Sequence, residues 1–535
     1  MKSLYQWSRL SLGLLTLLAL PGCTDLDTAP QGNTVTEDQK TELYRRVPER
    51  ASAAVNGVMS LFSRAEATAG GHGDFGYPSV MLGFDCRGTD AICFTLGYNW
   101  FSSETLLDDN AVIDPFPRMV WSNCYDQIRA CNALLASVKS DDTNPITRYN
   151  RAQAQAVRAF DYFTLAQSFQ FTYKGHEQAN CVPVITEDNQ AESEKKGLRL
   201  STVEEVYKRI NDDLDSAAVN IKASGTARSD RRYISAAVVY GLQARVALVQ
   251  QRWADAAAAA DKAIAAAAAE GIAPASRAAV SKPTFTSMSE SNWMWGIKIE
   301  ETDRVVTTGI VNWPSHMCTF AYGYVMVGAT KSINSKLYAT IPATDVRKGW
   351  FLNEKGLSPN LSAAQQKFVT GRKRGPYTNV KFDSYKSVLN QSTNAQDILL
   401  MRVEEMYLIK AEALAMSGQP AAGAQVLTDF VKTYRDPAFT LTAGTAEAVQ
   451  DAVWMQRRVE LWGEGLSYFD LLRLGKGIDR RDVGFEQSAN YNVPANSPVM
   501  IIPIPQKERE ANKAVKTKDY NPLAEKPQTV PLTQK

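Results

Sequence analysis

Histidine is nearly missing from this chain: His72, His176 and His316 are the only three in 535 residues. They are scattered, so each reads as a surface or core imidazole and not as a ligand or general base. Net charge is nearly missing too, at +2 from 59 Lys and Arg against 57 Asp and Glu, with no basic stripe. A nucleic-acid binder needs such an excess to neutralise phosphates, so this balance argues against that class and favours uncharged or weakly charged ligands. Catalytic signatures are absent: there is no nucleophile elbow, no His-Glu-x-x-His and no phosphate-cradling glycine loop, and no catalytic residue, cofactor or metal site is assigned. Asp108-Asp109 reads as a solvated pair in a polar loop, at best compatible with Ca²⁺, and not as the carboxylates of a glycoside hydrolase.

Cysteine is sparse, and its spacing suggests no metal cluster. Beyond Cys23 there are Cys86, Cys93, Cys124, Cys131, Cys181 and Cys318. Cys124 and Cys131 lie seven apart on an expected helix, about 10.5 Å between Cα atoms, too far for a mutual disulfide. Cys86 with Cys93 could bridge a loop in an exported protein, and two thiols are an equal reading.

The apolar stretch Leu10 to Leu20 follows Lys2 and Arg9 and ends at Pro21-Gly22-Cys23. It is long enough for a signal-peptide core and too short to span a bilayer as a helix. A small residue before a cysteine resembles bacterial lipoprotein signals, with Pro21 a departure; the alternative is an ordinary secretory signal that ends near a cysteine. The expectation is a signal peptide over 1–22, a lipid on Cys23 as the mature N-terminus, and a polar tether over 23–40. Loss of Lys2 and Arg9 takes the 59 bases to 57, equal to the 57 acids. The tail from Lys516 reads as extended chain.

The body, 41–535, is 44% apolar over the whole sequence, enough for a large core. Three segments echo one another: Tyr162-x-x-x-Ala166-x-x-Phe169, Tyr240-x-x-x-Ala244-x-x-Ala247 and Tyr407-x-x-x-Ala411-x-x-Leu414. A ring one turn before a small residue lets a neighbouring helix approach closely. The second and third continue through polar breaks at 250–252 and 417–419 into Ala-rich helices, giving hairpins that resemble tetratricopeptide repeats. Further helices are expected at 48–65, 118–138, 148–171, 202–221 and 446–466. The fold expected is mainly α: helical hairpins forming a scaffold over 41–270 and 398–535, with an irregular ligand-side region over 271–397 and a few short strands. Trp293, Trp295, Ile297 and Ile299 alternate like one such strand, which assigns both tryptophans to the core.

The run from Asp397 to Ala413, DILLMRVEEMYLIKAEA, resembles the signature helix of the SusD/RagB family. Other pieces arrive in that family's order: Trp121-x-x-x-Tyr125-x-x-Ile128-x-x-Cys131-Asn132, Arg158-Ala159-Phe160, Val182-Pro183-Val184, Asp345-Val346-Arg347, Arg457-Arg458-Val459-Glu460-Leu461, Gly465-x-x-x-Phe469-Asp470-Leu471-x-Arg473 and Ile502-Pro503-Ile504-Pro505. Gln456 and Ser467 stand where the family usually has Glu and Arg, and the closing signature is blurred around Asn512 and Asn521. Taken on their spacing, Arg457, Glu460, Asp470 and Arg473 read as a fold-holding ion network. The resemblance implies a surface lipoprotein of the outer membrane that binds a nutrient, without enzymatic activity, and caps a SusC-like TonB-dependent β-barrel transporter. An oligosaccharide is the leading ligand; a peptide, or a role as a protein-interaction scaffold, are the alternatives.

Two stretches concentrate rings: seven aromatics from Phe75 to Phe101 and six from Trp293 to Tyr324. Flat rings suit the C–H face of a pyranose, with polar groups at the rim meeting its hydroxyls. The resemblance places the ligand site in these same regions. The candidate ligand-binding residues are Asp85, Arg87, Tyr98, Asn99, Trp100, Trp313, Tyr322 and Tyr324.

Overall fold

The computed structural model describes residues 37–93, 98–442 and 444–533. The expected signal peptide and Cys23 lie outside the described residues. The principal helices are α1 (Glu37–Arg46), α2 (Ala51–Ser60), α3 (Tyr77–Arg87), α4 (Pro115–Ser137), α5 (Pro145–Phe169), α6 (Val203–Ser224), α7 (Ala236–Val249), α8 (Trp253–Ala269), α9 (Ala363–Gly371), α10 (Val403–Met416), α11 (Pro420–Tyr434) and α12 (Ala446–Glu460). The short strands β1 (Ala91–Cys93), β2 (Trp293–Ile297), β3 (Lys331–Ile333), β4 (Ile398–Arg402), β5 (Ile478–Asp479) and β6 (Asn492–Val493) form three antiparallel two-stranded pairs, β1–β3, β2–β4 and β5–β6. The fold is mainly α with irregular insertions, as the periodicities predict.

Local chemistry fixes the helix starts. Asn144 accepts from the backbone N–H of Ile146 at 2.9 Å with Pro145 as the first helical residue of α5. Thr202 and Glu205 form a reciprocal capping box on α6. The hairpins α7–α8 and α10–α11 turn where expected, the second through Gly418 at φ +86°, and α8 packs on α10 so that the hairpins stack. Gly423 permits the close crossing within α10–α11, since a Cβ there would sit 2.4 Å from the carbonyl oxygen of Ala411.

Some boundaries differ from expectation for identifiable reasons. α1 begins at Glu37, inside the stretch read as tether. The helix expected over 48–65 is a 3₁₀ turn followed by α2, which ends at Ser60 because the Phe62 carbonyl is taken by the N–H of Tyr77 at 2.9 Å as the chain turns outward. The helix expected over 446–466 stops at Glu460, whose carbonyl accepts from Lys381 Nζ at 3.1 Å and Arg402 Nη2 at 2.5 Å. Tyr162 does more than space helices: its hydroxyl donates to the Ile185 carbonyl and accepts from the Ile185 N–H, both at 2.7 Å, pinning the insertion between α5 and α6. The tail is extended but docked, with the Val530 N–H on the Asn490 carbonyl at 2.7 Å.

The ion network is buried and larger than the four residues suggest. Arg347, Arg402, Arg435 and Lys381 meet Asp345, Glu404, Glu460 and Glu464, all buried, so positive and negative charges balance. A second chain runs Arg457, Asp470, Arg473, Glu412. Gln456 takes a guanidinium bond from Arg347 at 2.5 Å and Ser467 donates to Asp90 at 2.7 Å, so the two departures still have partners. Cys86 carries a free buried thiol, so no Cys86–Cys93 bridge forms; Lys331 Nζ lies 3.6 Å from the Cys93 sulfur. Asp109 is not solvated: it is buried against Arg87, while Asp108 stays outside with Lys526 at 3.2 Å.

Candidate ligand-binding site

The β1–β3 ladder, with Ala91 opposite Ile333, ties the early aromatic stretch to the irregular middle region. Ahead of α3 the chain makes a tight loop around Asp74, whose Oδ2 accepts from the N–H groups of Thr68, Ala69 and Gly70 at 2.8 to 3.0 Å. Gly71 lies in this loop at φ +81°, under the indole of Trp100, where a Cβ would come within 3.1 Å of the ring. Only glycine accommodates both the left-handed backbone and the ring.

Trp100 rests one face on this loop, with His72 at 5.0 Å and 36° between ring planes, and presents its edge to Tyr324 at 6.2 Å. It remains 47% exposed. The Tyr324 hydroxyl pairs with His72 Nδ1. Behind them His316 stacks on Tyr324 at 4.6 Å and on Phe75 at 5.4 Å, with Phe101 edge-on. His316 Nε2 pairs with the carbonyl of His72 at 3.0 Å, leaving Nδ1 without a partner. Burial, reinforced by nearby Lys331, pushes the His316 pKa down to about 3, so the ring is neutral and Nε2–H is the donor. Two histidines that are scattered in sequence, 244 residues apart, thus meet in one stacked platform. The signal that could have found them is that each falls in or beside an aromatic-rich stretch.

The eight candidates divide. Tyr98, 73% exposed at φ +56°, and Tyr322, 45% exposed, each lie two residues from a platform ring. Tyr322 is held by its N–H on the Gln391 carbonyl at 3.1 Å and its carbonyl under Asn394 Nδ2 at 3.0 Å. Asn99 is buried, its Oδ1 accepting from the Phe101 N–H at 3.2 Å, so it shapes the loop. Tyr324 forms the platform's inner wall. Trp313 is a correction: it is 8% exposed, opens a short helix (Trp313–Met317) and packs edge-on against Phe382 at 4.9 Å, away from solvent. Asp85 and Arg87 are corrections too. Asp85 accepts from the Gly465 N–H at 3.0 Å, and burial pushes its carboxyl up to about 8. Arg87 is sealed against Asp109 and the Val499 carbonyl. Neither can reach a hydroxylated ligand at the surface.

A cavity of about 440 Å³ lies elsewhere, between α4 and the short helices Gln190–Lys196 and Gln506–Ala511. Its rings are committed to the protein: Trp121 packs edge-on with Phe169 at 5.2 Å, and the Tyr125 hydroxyl donates to the Pro183 carbonyl at 2.7 Å. The Trp100 platform is the better ligand surface because nearly half of that indole stays exposed. Among the described residues, no group of three His, Cys, Asp or Glu is placed to hold a metal, and no helix is long and apolar enough to cross a membrane.

Residues 348–523 match the model of the SusD family, and residues 89–248 match a second one described as "Starch-binding associating with outer membrane". A SusD-like protein P38 from Formosa agariphila is 27% identical over 111 residues, 19% of this chain and 22% of that protein's length. A SusD-like carbohydrate binding protein from Bacteroides vulgatus superposes with a TM-score of 0.73 at 22% identity, covering 89% of this chain and 98% of that one. Surface glycan-binding protein A from Bacteroides thetaiotaomicron, solved with laminarihexaose, gives 0.63 at 16%, covering 87% and 98%. At these identities the structural likeness is one of fold.

Proposed function

The chain belongs to the SusD/RagB family, and we propose that it is a non-enzymatic, lipid-anchored surface protein of the outer membrane that captures an oligosaccharide at the Trp100 platform. It then delivers the sugar to a SusC-like TonB-dependent β-barrel transporter as that transporter's lid. The observation that carries the reading is the half-exposed indole of Trp100, backed by His72 and Tyr324, with the exposed rings of Tyr98 and Tyr322 each two residues along the chain from a platform ring. A pyranose stacked there would keep its C–H face on the indole and its hydroxyls in water. Support comes also from relatives of the same fold whose names describe carbohydrate binding. Carboxyls pushed far up from their ordinary titration, such as Asp85 and Glu104, are sealed in the core, which suits binding and not acid–base chemistry. The body, 41–535, would act as one unit, with Cys23 bearing the lipid.

A glycan array run beside a peptide library tests the reading. Binding to oligosaccharides that Trp100→Ala removes is expected; peptide binding without glycan binding would overturn it.

A further inference from the structure

The charge balance of the whole chain breaks down beside the platform. From Glu354 to Tyr377 the sequence carries Lys355, Lys367, Arg372, Lys373 and Arg374 against one acid, Glu354. None of these five cations forms an ion pair among the described residues. Other cations of the irregular face do: Lys386 meets Glu301 at 2.9 Å and Arg304 meets Glu66 at 3.1 Å.

The basic segment packs against the chain on both sides of Tyr324. Phe368 of α9 packs with Phe320 at 6.3 Å, and Arg372 lies over the Phe368 ring at 5.6 Å. Arg374 Nη2 reaches the sulfur of Met326 at 3.6 Å. Met326 and Tyr324 share one 3₁₀ turn, Tyr324–Val327, so Arg374 packs on the same turn that supplies the platform wall. The Arg374 guanidinium is half-buried, and its Nε is buried with no partner.

Capping of α9 does not account for the cluster. The last carbonyls of that helix are already met by the backbone N–H groups of Arg372, Lys373 and Arg374, each at 3.0 Å. A helix end carries about half a unit of charge, which one cation complements. Half-burying a guanidinium with no carboxylate to receive it has an energetic cost that an incoming anion would offset.

Resting on the oligosaccharide reading of the site, we infer that the ligand is an anionic saccharide, its carboxylates or sulfates received by Arg372, Lys373 and Arg374 while a ring stacks on Trp100. A guanidinium fork binds either anion bidentately.

Calorimetric titration of the purified full chain at low and high NaCl tests this with oligogalacturonate, oligomannuronate, a heparin hexasaccharide, laminarihexaose and cellohexaose. At least one acidic oligosaccharide should bind about tenfold tighter than both neutral ones and weaken with salt. The triple variant R372Q/K373Q/R374Q should lose about tenfold for that ligand and nothing for the neutral ones. K373Q alone, at an exposed position, should show a smaller loss in the same direction if the triple variant folds poorly. Equal or tighter binding of neutral sugars, or full affinity in a normally folded triple variant, overturns the charge inference. In that case loss of sugar binding by Trp100→Ala leaves the oligosaccharide reading standing. Binding of no saccharide at millimolar concentration overturns both. Triple-variant-sensitive binding only to phosphatidylglycerol vesicles would show that the cations face a membrane and would equally overturn the inference.

Discussion

Glu460→Gln isolates the role of the buried ion network. Glu460 accepts four side-chain hydrogen bonds from three guanidinium groups: Arg347 at 3.0 Å, Arg402 at 2.6 Å and Arg435 twice at 2.8 Å. Burial alone would push its carboxyl up, but Arg435, Arg402 and Arg347 outweigh this and hold it well below the usual carboxylate range. Glutamine keeps one acceptor, turns an amide toward the guanidinium donors and leaves the cluster one positive charge in excess. Breaking a buried pair in this way costs about 3–5 kcal/mol. With an unfolding entropy of roughly 1 kcal/mol/K for a chain of this size, the midpoint should fall by about 3–5 °C. Differential scanning calorimetry reads this directly, and Glu42→Gln, in an exposed pair with Arg45 and Arg46, should change nothing measurable. The sign with pH follows: a depressed carboxylate contributes stability above its unfolded pKa of about 4.3 and loses it as pH falls toward the folded value. The parent should therefore destabilise in acid more steeply than Glu460→Gln. An unchanged midpoint would refute the network's structural role, and normal stability with lost ligand affinity would make it part of a site.

Four further outcomes are expected. Trp100→Ala should weaken oligosaccharide affinity about thirtyfold at an unchanged melting temperature, whereas Trp313→Ala should cost about 3–5 kcal/mol of stability; melting and affinity measured on both variants separate the two roles. Asp85→Asn should gain stability over the parent as pH rises from about 4 to about 8, because the folded parent must hold a proton there that its unfolded chain gives up; urea midpoints across that range check the slope. Cys23→Ser should leave the membrane fraction or stay unprocessed, and unchanged detergent-dependent membrane association would refute the anchor. Residues 271–397 expressed alone should be unfolded, and a cooperative thermal transition in that fragment would count against a single body.

The helical scaffold was legible because periodicity is local. Tyr240, Ala244 and Ala247 announce a close-packed helix face within eight residues, and α7 forms there. The candidate site was legible where aromatics stand in loop sequence, as at Tyr98, Trp100, Tyr322 and the buried wall residue Tyr324. Asp85 and Arg87 look like rim residues within an aromatic stretch, yet their partners Gly465 and Val499 lie 380 and 412 residues away. No local pattern reports such a contact. At Trp313 the local pattern does report structure: Asn312 before Trp313-Pro314 is a helix start, and its Oδ1 accepts from the Ser315 N–H at 3.0 Å.

The same long-range pairing explains why the platform is rigid enough to bind. His316 is neutral, fully buried and stacked on two rings, so this ring neither takes up charge nor loses side-chain freedom when a sugar arrives. A pH profile of binding then reports little of His316 and more of the ligand. A uronate would lose its charge, and its hold on Arg372, Lys373 and Arg374, in acid, whereas a sulfate ester would not. If acidic sugars bind, affinity that falls below about pH 4 would mark the carboxylate class, and affinity flat down to the onset of acid unfolding would mark the sulfated one.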